Sequence, residues 1–187
     1  MKNLLLELGV QLKLNEFVSA NYLQEGVSKP YIEKLLLQNG LDLDFPKELF
    51  DLYEWHNGQS HIYEVKNSVL EIFWYKLFYP IEEAIDIYKS QLEYLGDYNF
   101  PIFGNVDTSH DIIDLSKKSK NYLFIMRYDD EKDLLRKYPS LEKAIAANLE
   151  CYKSKAYLPD EKGLLSYNKS VCIKIHKEYG RGCEYWD

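Results

Sequence analysis

Cysteine, glycine-rich loops, long apolar runs and clustered basic residues are scarce or missing in this chain of 187 residues, and each scarcity removes a class of protein. The 3 cysteines, Cys151, Cys172 and Cys183, are odd in number and widely spaced, with no Cys-x-x-Cys pair. Secreted frameworks use even sets, so these read as reduced thiols of a cytoplasmic protein. A zinc site would have to combine Cys172, His176 and Cys183 with Cys151, a spacing that matches no known finger, and thiols packed as small hydrophobes are the simpler reading. The 9 glycines stand mostly alone at turns. No Gly-x-Gly-x-x-Gly, phosphate-cradling loop or Gly-x-Ser-x-Gly elbow is present, which removes the common nucleotide-binding and nucleophilic-hydrolase signatures. "GRGC" at 180–183 is too short to cradle a phosphate.

Long apolar runs are also missing, so no stretch has the length of a membrane span. The opening "MKNLLLELGVQLK" is interrupted by Glu7 and no small-residue cleavage site follows it, so it is not expected to be a signal peptide. Lys and Arg number 23 against 30 Asp and Glu, a net charge of −7. Repulsion from a phosphate backbone disfavours direct nucleic-acid binding, since no Lys/Arg cluster provides a local exception.

What the chain does have is apolar and aromatic mass. Hydrophobic residues make up 46% and aromatic residues 15% of it, well above a disordered composition. A chain of this length buries most of its unfolded surface, so a single globular domain over 1–187 is expected, stable without cofactor, metal or disulfide. The 17 tyrosines stand out. Tyr combines an apolar body with a polar tip and is enriched where proteins meet. An acidic, Tyr-rich globule suits a basic protein partner, because complementary potentials speed association and fix orientation.

Periodicity predicts the elements. Leu4, Leu5, Leu8 and Leu12 mark a first helix. A second is bracketed by Ser28, Pro30 and Asn39-Gly40. A third starts at Asp44 or Phe45 before Pro46, runs through Leu49, Leu52, Tyr53 and His56, and stops at Asn57-Gly58. "SVLEIFWYKLFY", 68–79, reads as strand material covered on both sides. Pro80 opens a helix whose i, i+3, i+4 rhythm runs from Ile81 to Leu95. "NYLFIMRY" reads as a buried central strand, and Ser140 starts a helix carrying Leu141, Ile145, Asn148, Leu149 and Tyr152. Residues 153–170 read as an exposed connection. "SVCIKIHKEYG" alternates Val171, Ile173 and Ile175 with Cys172, Lys174 and His176, which predicts a last strand. Helices first, strands in the middle and a closing helix give an α+β class, with a mixed or antiparallel sheet flanked by helices.

Two polar stretches are the candidate sites. In "NFPIFGNVDTSHDIIDLS", 99–116, Asp107, His110, Asp111 and Asp114 offer oxygen and nitrogen ligands or a carboxylate-oriented histidine base. Their spacing matches neither a calcium loop nor a His-x-x-x-His pair. The plainer reading is a hairpin in which "FPIF" and "IIDL" pair across a polar tip. The second stretch, "YDDEKD", begins at Tyr128 and contains Asp129, Asp130 and Glu131. Beside the first loop it would form a negative rim for a basic partner. A metal-dependent hydrolase using 107–114 and an intracellular scaffold are the alternatives.

The order of motifs resembles the SUKH superfamily, which holds yeast cell-wall-synthesis regulators and many bacterial immunity proteins. The resemblance rests on Phe45, Pro46, Leu49, Tyr53, Trp55, Asn57 and Gly58, then "PIEEAIDIY", the "FPIFGN…D…IIDLS" hairpin, "YLFIMRYDDE" and "YPSLEKAIAANLE". It covers about Ser28 to Tyr152. It implies one α+β domain without catalytic residues, used as a binding module that in toxin–immunity pairs captures a toxin domain, often a nuclease. It further implies that Phe45, Pro46, Trp55, Asn57 and Gly58 belong to the structural framework. The first helix and the segment after Ser170 would be additions, joined to the sheet or used in a dimer; the chain itself would be a monomer or homodimer.

Overall fold

Leu5, Leu8 and Leu12 recur at helical spacing and form the buried stripe of helix α1 (Lys2–Leu14). The computed structural model describes residues 1–105, 109–116 and 134–186, with the backbone alone at 94–95 and 123–127. α1 packs on α3 (Lys47–Trp55) and α7 (Leu141–Lys153), so the N-terminal helix is part of the main core and not an appendage. Helix α2 (Lys29–Gln38) begins at Ser28 with Pro30 in its first turn. It ends as Gly40 predicts: Gly40 takes φ +68°, its N–H donates to the Leu37 carbonyl at 3.0 Å, and the Leu41 N–H donates to the Leu36 carbonyl at 2.9 Å. That pair of bonds is a Schellman turn, which only a residue tolerant of positive φ closes without strain.

α3 buries Leu49, Leu52 and Tyr53 as expected, but His56 does not continue the stripe. It opens strand β2 (His56–Gln59), antiparallel to β1 (Leu23–Glu25), and its Nδ1 lies 2.6 Å from the Gln24 carbonyl oxygen. Asn57-Gly58 is therefore not a helix stop. The Asn57 side chain reaches α5 (Ile81–Ser90), accepting the Ile81 N–H at 2.9 Å and donating to Glu82 at 2.9 Å. Gly58, at φ +66°, brings β2 so close to Pro80 that a Cβ would sit 2.2 Å from the Pro80 nitrogen. Gln59, fully buried, accepts the Phe78 N–H at 2.9 Å and donates to the Leu70 carbonyl at 2.6 Å.

The expected strand over 68–79 is overturned. Those residues form a helical turn α4 (Asn67–Leu70), a tight reversal in which Phe73 bridges Lys76, and a two-residue strand β3 (Leu77–Phe78). Leu70, Ile72, Phe73, Leu77, Phe78 and Tyr79 are all buried, so the demand for burial is met by irregular chain, and β propensity yields to tertiary context. The rhythm from Ile81 to Leu95 is divided at Gln91 between α5 and the short α6 (Leu92–Leu95).

The predicted hairpin forms. β4 (Asn99–Asn105) and β5 (Ser109–Asp114) pair antiparallel, with Phe100 opposite Ile113 and a bulge between Pro101 and Phe103. With β6 (Leu123–Arg127) and β7 (Leu135–Tyr138) they complete an antiparallel sheet ordered β3-β4-β5-β6-β7 among the described residues, with β6 interior. α7 starts at Ser140, whose hydroxyl accepts the Lys143 N–H at 3.2 Å, and buries Leu141, Ile145, Asn148, Leu149 and Tyr152. The segment after it is not a bare connection: β8 (Tyr157–Pro159) and β9 (Leu165–Tyr167) make a hairpin.

The expected last strand is helix α8 (Lys169–Tyr179), packed on α7. Asn168 caps it by accepting the Val171 N–H at 3.3 Å. Cys172 and His176, four residues apart, share a face in a helix as they would in a strand, so that spacing does not separate the two readings. The whole is one α+β domain with small antiparallel sheets flanked by helices. Among the described residues no helix is long and apolar enough to cross a membrane.

Candidate functional site

Side chains alternate along β5, and this decides what the polar stretch can do. His110 and Asp114 project to one side of the strand, Ser109 and Asp111 to the other. His110 is 1% exposed and Asp111 4%, so neither belongs to an exposed rim. Asp114, at the far end, is half-buried and accepts the Ser116 N–H at 2.8 Å. His110, Asp111 and Asp114 therefore do not converge on one point, which removes them as a joint metal cage or acid–base set. Asp107, Tyr128, Asp129, Asp130 and Glu131 lie outside the described residues.

On the His110 side there is a cleft. It lies between α5 and the sheet, with a volume of about 270 Å³, and Tyr63, Tyr79, Glu83, Asp86, Gln91 and His110 contribute to its walls. Tyr79 follows β3 into the core, and its hydroxyl is hydrogen-bonded to His110 Nδ1 at 2.9 Å. Gly104 makes room for that ring, since a Cβ there would lie 1.7 Å from the Tyr79 oxygen. Burial, with the Lys76 charge as the second cause, lowers the His110 pKa to about 4, so its imidazole is neutral and a poor base at neutral pH. Tyr63 is 63% exposed, stands on the loop before α4 and donates its hydroxyl to Glu83. Burial, then the neighbouring Asp86 carboxylate, raises the Glu83 pKa. Neither Glu83 nor Asp86 has an ion-pair partner among the described residues.

On the Asp111 side the packing is closed. Lys137 of β7 donates to Asp111 Oδ2 at 2.8 Å, and Lys76 lies 3.8 Å from Oδ1 while donating to the Ser109 carbonyl at 3.0 Å. Beneath them, Tyr138 hydroxyl and His176 Nδ1 are 2.5 Å apart, and His176 Nε2 is 3.2 Å from the Tyr157 hydroxyl. Trp186 stacks on the His176 ring with centroids 5.5 Å apart. Burial and the Lys137 charge lower the His176 pKa to about 3. The hydrogen bond to Cys172, followed by burial, pushes the Cys151 thiol well above its ordinary range. All three cysteines are buried and unbridged. The cavity among these groups is only about 20 Å³, room for a single water molecule. Among the described residues no group of three His, Cys, Asp or Glu side chains is placed to hold a metal ion.

The framework residues have physical roles. Phe45 packs edge-on to Phe100 with centroids 4.8 Å apart; the Pro46 carbonyl accepts the Leu49 N–H at 3.0 Å. Trp55 ends α3 against Gly9 and the His56 ring. Asn57 and Gly58 dock β2 on the start of α5. The cleft residues Tyr63, Tyr79, Glu83, Asp86 and Gln91 carry no motif in the sequence. The buried lysine side had one visible signal, Lys76 alone inside the apolar run "FWYKLFY". No protein-family model and no curated protein sequence matches the chain.

Proposed function

We propose that the chain is a non-catalytic protein-binding module of the SUKH kind, an immunity protein that neutralises a basic toxin domain by binding it and covering its active site. The observation that carries this reading is the α5 cleft, where two carboxylates without a counter-ion among the described residues border an exposed tyrosine. Such a surface is costly to maintain for folding alone, because like charges repel and one of them is partly desolvated. It is suited to a cationic partner, whose approach relieves that repulsion, and tyrosine is a preferred anchor at protein interfaces. The net charge of −7 extends the same complementarity to long range. The reading also rests on the family resemblance, whose motifs fall on α3, α5, the β4–β5 hairpin, β6 and α7, while the helix end at Asn57-Gly58 and the strand over 68–79 that belonged to it are not formed.

The test is co-expression with the toxin encoded beside the gene. The reading requires that the chain restores growth, that the two proteins co-purify, and that their affinity falls as salt rises. Unrelieved killing by that toxin would sink it.

A further inference from the structure

We propose that the cleft between α5 and His110 is the receptor for one arginine side chain of the partner, an assignment that rests on the protein-binding reading above. Its walls are rich in acceptors. Glu83 and Asp86 present carboxylates, and the Gln91 side-chain oxygen is buried without a donor among the described residues. The hydroxyls at the rim are already given, that of Tyr63 to Glu83 and that of Ser90 to the Ile87 carbonyl. A complement must bring several donors, a positive charge and no acceptor, which describes a guanidinium.

Three features favour arginine over other cations. No group of three ligating side chains is assembled among the described residues to hold a divalent ion. The exposed ring of Tyr63 borders the cleft and offers a flat surface on which a guanidinium stacks, whereas an ammonium acts as a compact point charge. The floor is formed by Ile87, which accommodates the aliphatic stem, and by the uncharged His110 imidazole, which does not repel the head group. The entrance is open, since Tyr63 and Asp86 are both exposed. An arginine seated here would be desolvated on several sides, the setting in which one side chain dominates an interface.

The experiment uses the full chain labelled with nitrogen-15, titrated with Nα-acetyl-arginine amide and, in parallel, with its citrulline and lysine counterparts. Saturable shifts at the Ile87, Gln91 and His110 amides are expected. Affinity should be about tenfold weaker for the uncharged citrulline form, and about tenfold weaker in the Glu83→Gln/Asp86→Asn variant, equal to a loss of about 1.4 kcal/mol. An unchanged spectrum away from α5 shows that the variant remains folded. Equal response to citrulline, lysine binding as tight as arginine, shifts that never saturate, or an unaffected variant each overturn the assignment. Co-expression separates this proposal from the reading beneath it. If the variant protects cells as well as the unaltered chain, the arginine site is wrong and the immunity reading stands; if arginine saturates the cleft and no toxin is neutralised, the reverse holds.

Discussion

His110 and Asp111 are adjacent in the chain and lie in opposite kinds of environment. On the Asp111 side two lysines surround one carboxylate, the aromatic packing is tight, and about 20 Å³ is left unfilled. On the His110 side two carboxylates without counter-ions among the described residues border an opening of about 270 Å³. One side sets opposite charges against each other, and the other, among the described residues, gathers charge of one sign. A single β-strand, by its two-residue period, separates the part of the molecule that holds it together from the part proposed to bind.

The sharpest way to break this contrast is Asp111→Ala. With side chains about a tenth exposed or less, Asp111 and the two lysines form a buried cluster, and Asp111→Ala removes the carboxylate that both lysines face. The expected loss is about 3–5 kcal/mol, read from urea denaturation, and replacing Asp111 and Lys137 together with apolar residues should recover much of it. A loss under about 1 kcal/mol in the single variant would mean that the closed side does not carry the stability assigned to it.

Acid tests both sides at once. His110, with a native pKa of about 4, and His176, about 3, are held neutral below the unfolded value of 6.5. As pH falls from 6.5 the unfolded chain takes up these protons first, so each histidine costs about 1.4 kcal/mol of stability per pH unit. Glu71 acts in the opposite sense: burial raises its pKa to about 7, so between that value and 4.5 the folded chain holds the extra proton. Glu83 is shifted in the same direction. The net slope from pH 6.5 to 4.5 is thus at most about 1.4 kcal/mol per unit, towards lower stability in acid. His110→Asn should flatten it and Glu71→Gln should steepen it to at most about 2.8 kcal/mol per unit, both measured as denaturation midpoints against pH.

Between the two sides, matched hydroxyl deletions give a closer comparison. Tyr79→Phe removes the bond to His110 and Tyr138→Phe the bond to His176, both in fully buried pairs. Each should cost about 1 kcal/mol in thermal or chemical denaturation. If Tyr79→Phe were as costly as Asp111→Ala, the His110 side would be structural as well.

Much of this arrangement was legible in the chain. α7 could be placed from the Ser140 cap and the Leu141, Ile145, Leu149 rhythm, and the β4–β5 hairpin from two apolar runs around polar residues. Failures came where local pattern and tertiary demand diverge. Residues 68–79 have the composition of a strand, yet Gln59 and Tyr152 draw in the carbonyls of Leu70 and Ile72 and hold that chain in irregular form. Alternation over 171–176 mimicked a strand, while the Asn168 cap that starts α8 was the contrary signal. His110 was legible as a candidate because it stands in one polar stretch with Asp107, Asp111 and Asp114; Tyr63, Glu83 and Gln91 were not, because nothing local shows that a loop and a helix will converge on a strand far along the chain.

The smallest expected effect is the most informative about purpose. Glu83 is held by one tyrosine hydroxyl, repelled by Asp86 and partly desolvated, so its charge does little for the fold. Glu83→Gln keeps the shape and an acceptor while removing the charge and the repulsion. Its stability should therefore stay within about 0.5 kcal/mol of the original, with any change on the favourable side, as for substitutions away from packing and caps. A loss above about 1 kcal/mol would show that the carboxylate is a fold element, and the contrast between the two sides of β5 would collapse. An unchanged or raised melting temperature alongside weakened arginine binding is the expected pair of results, because a charge that leaves folding untouched and alters recognition is placed for a partner.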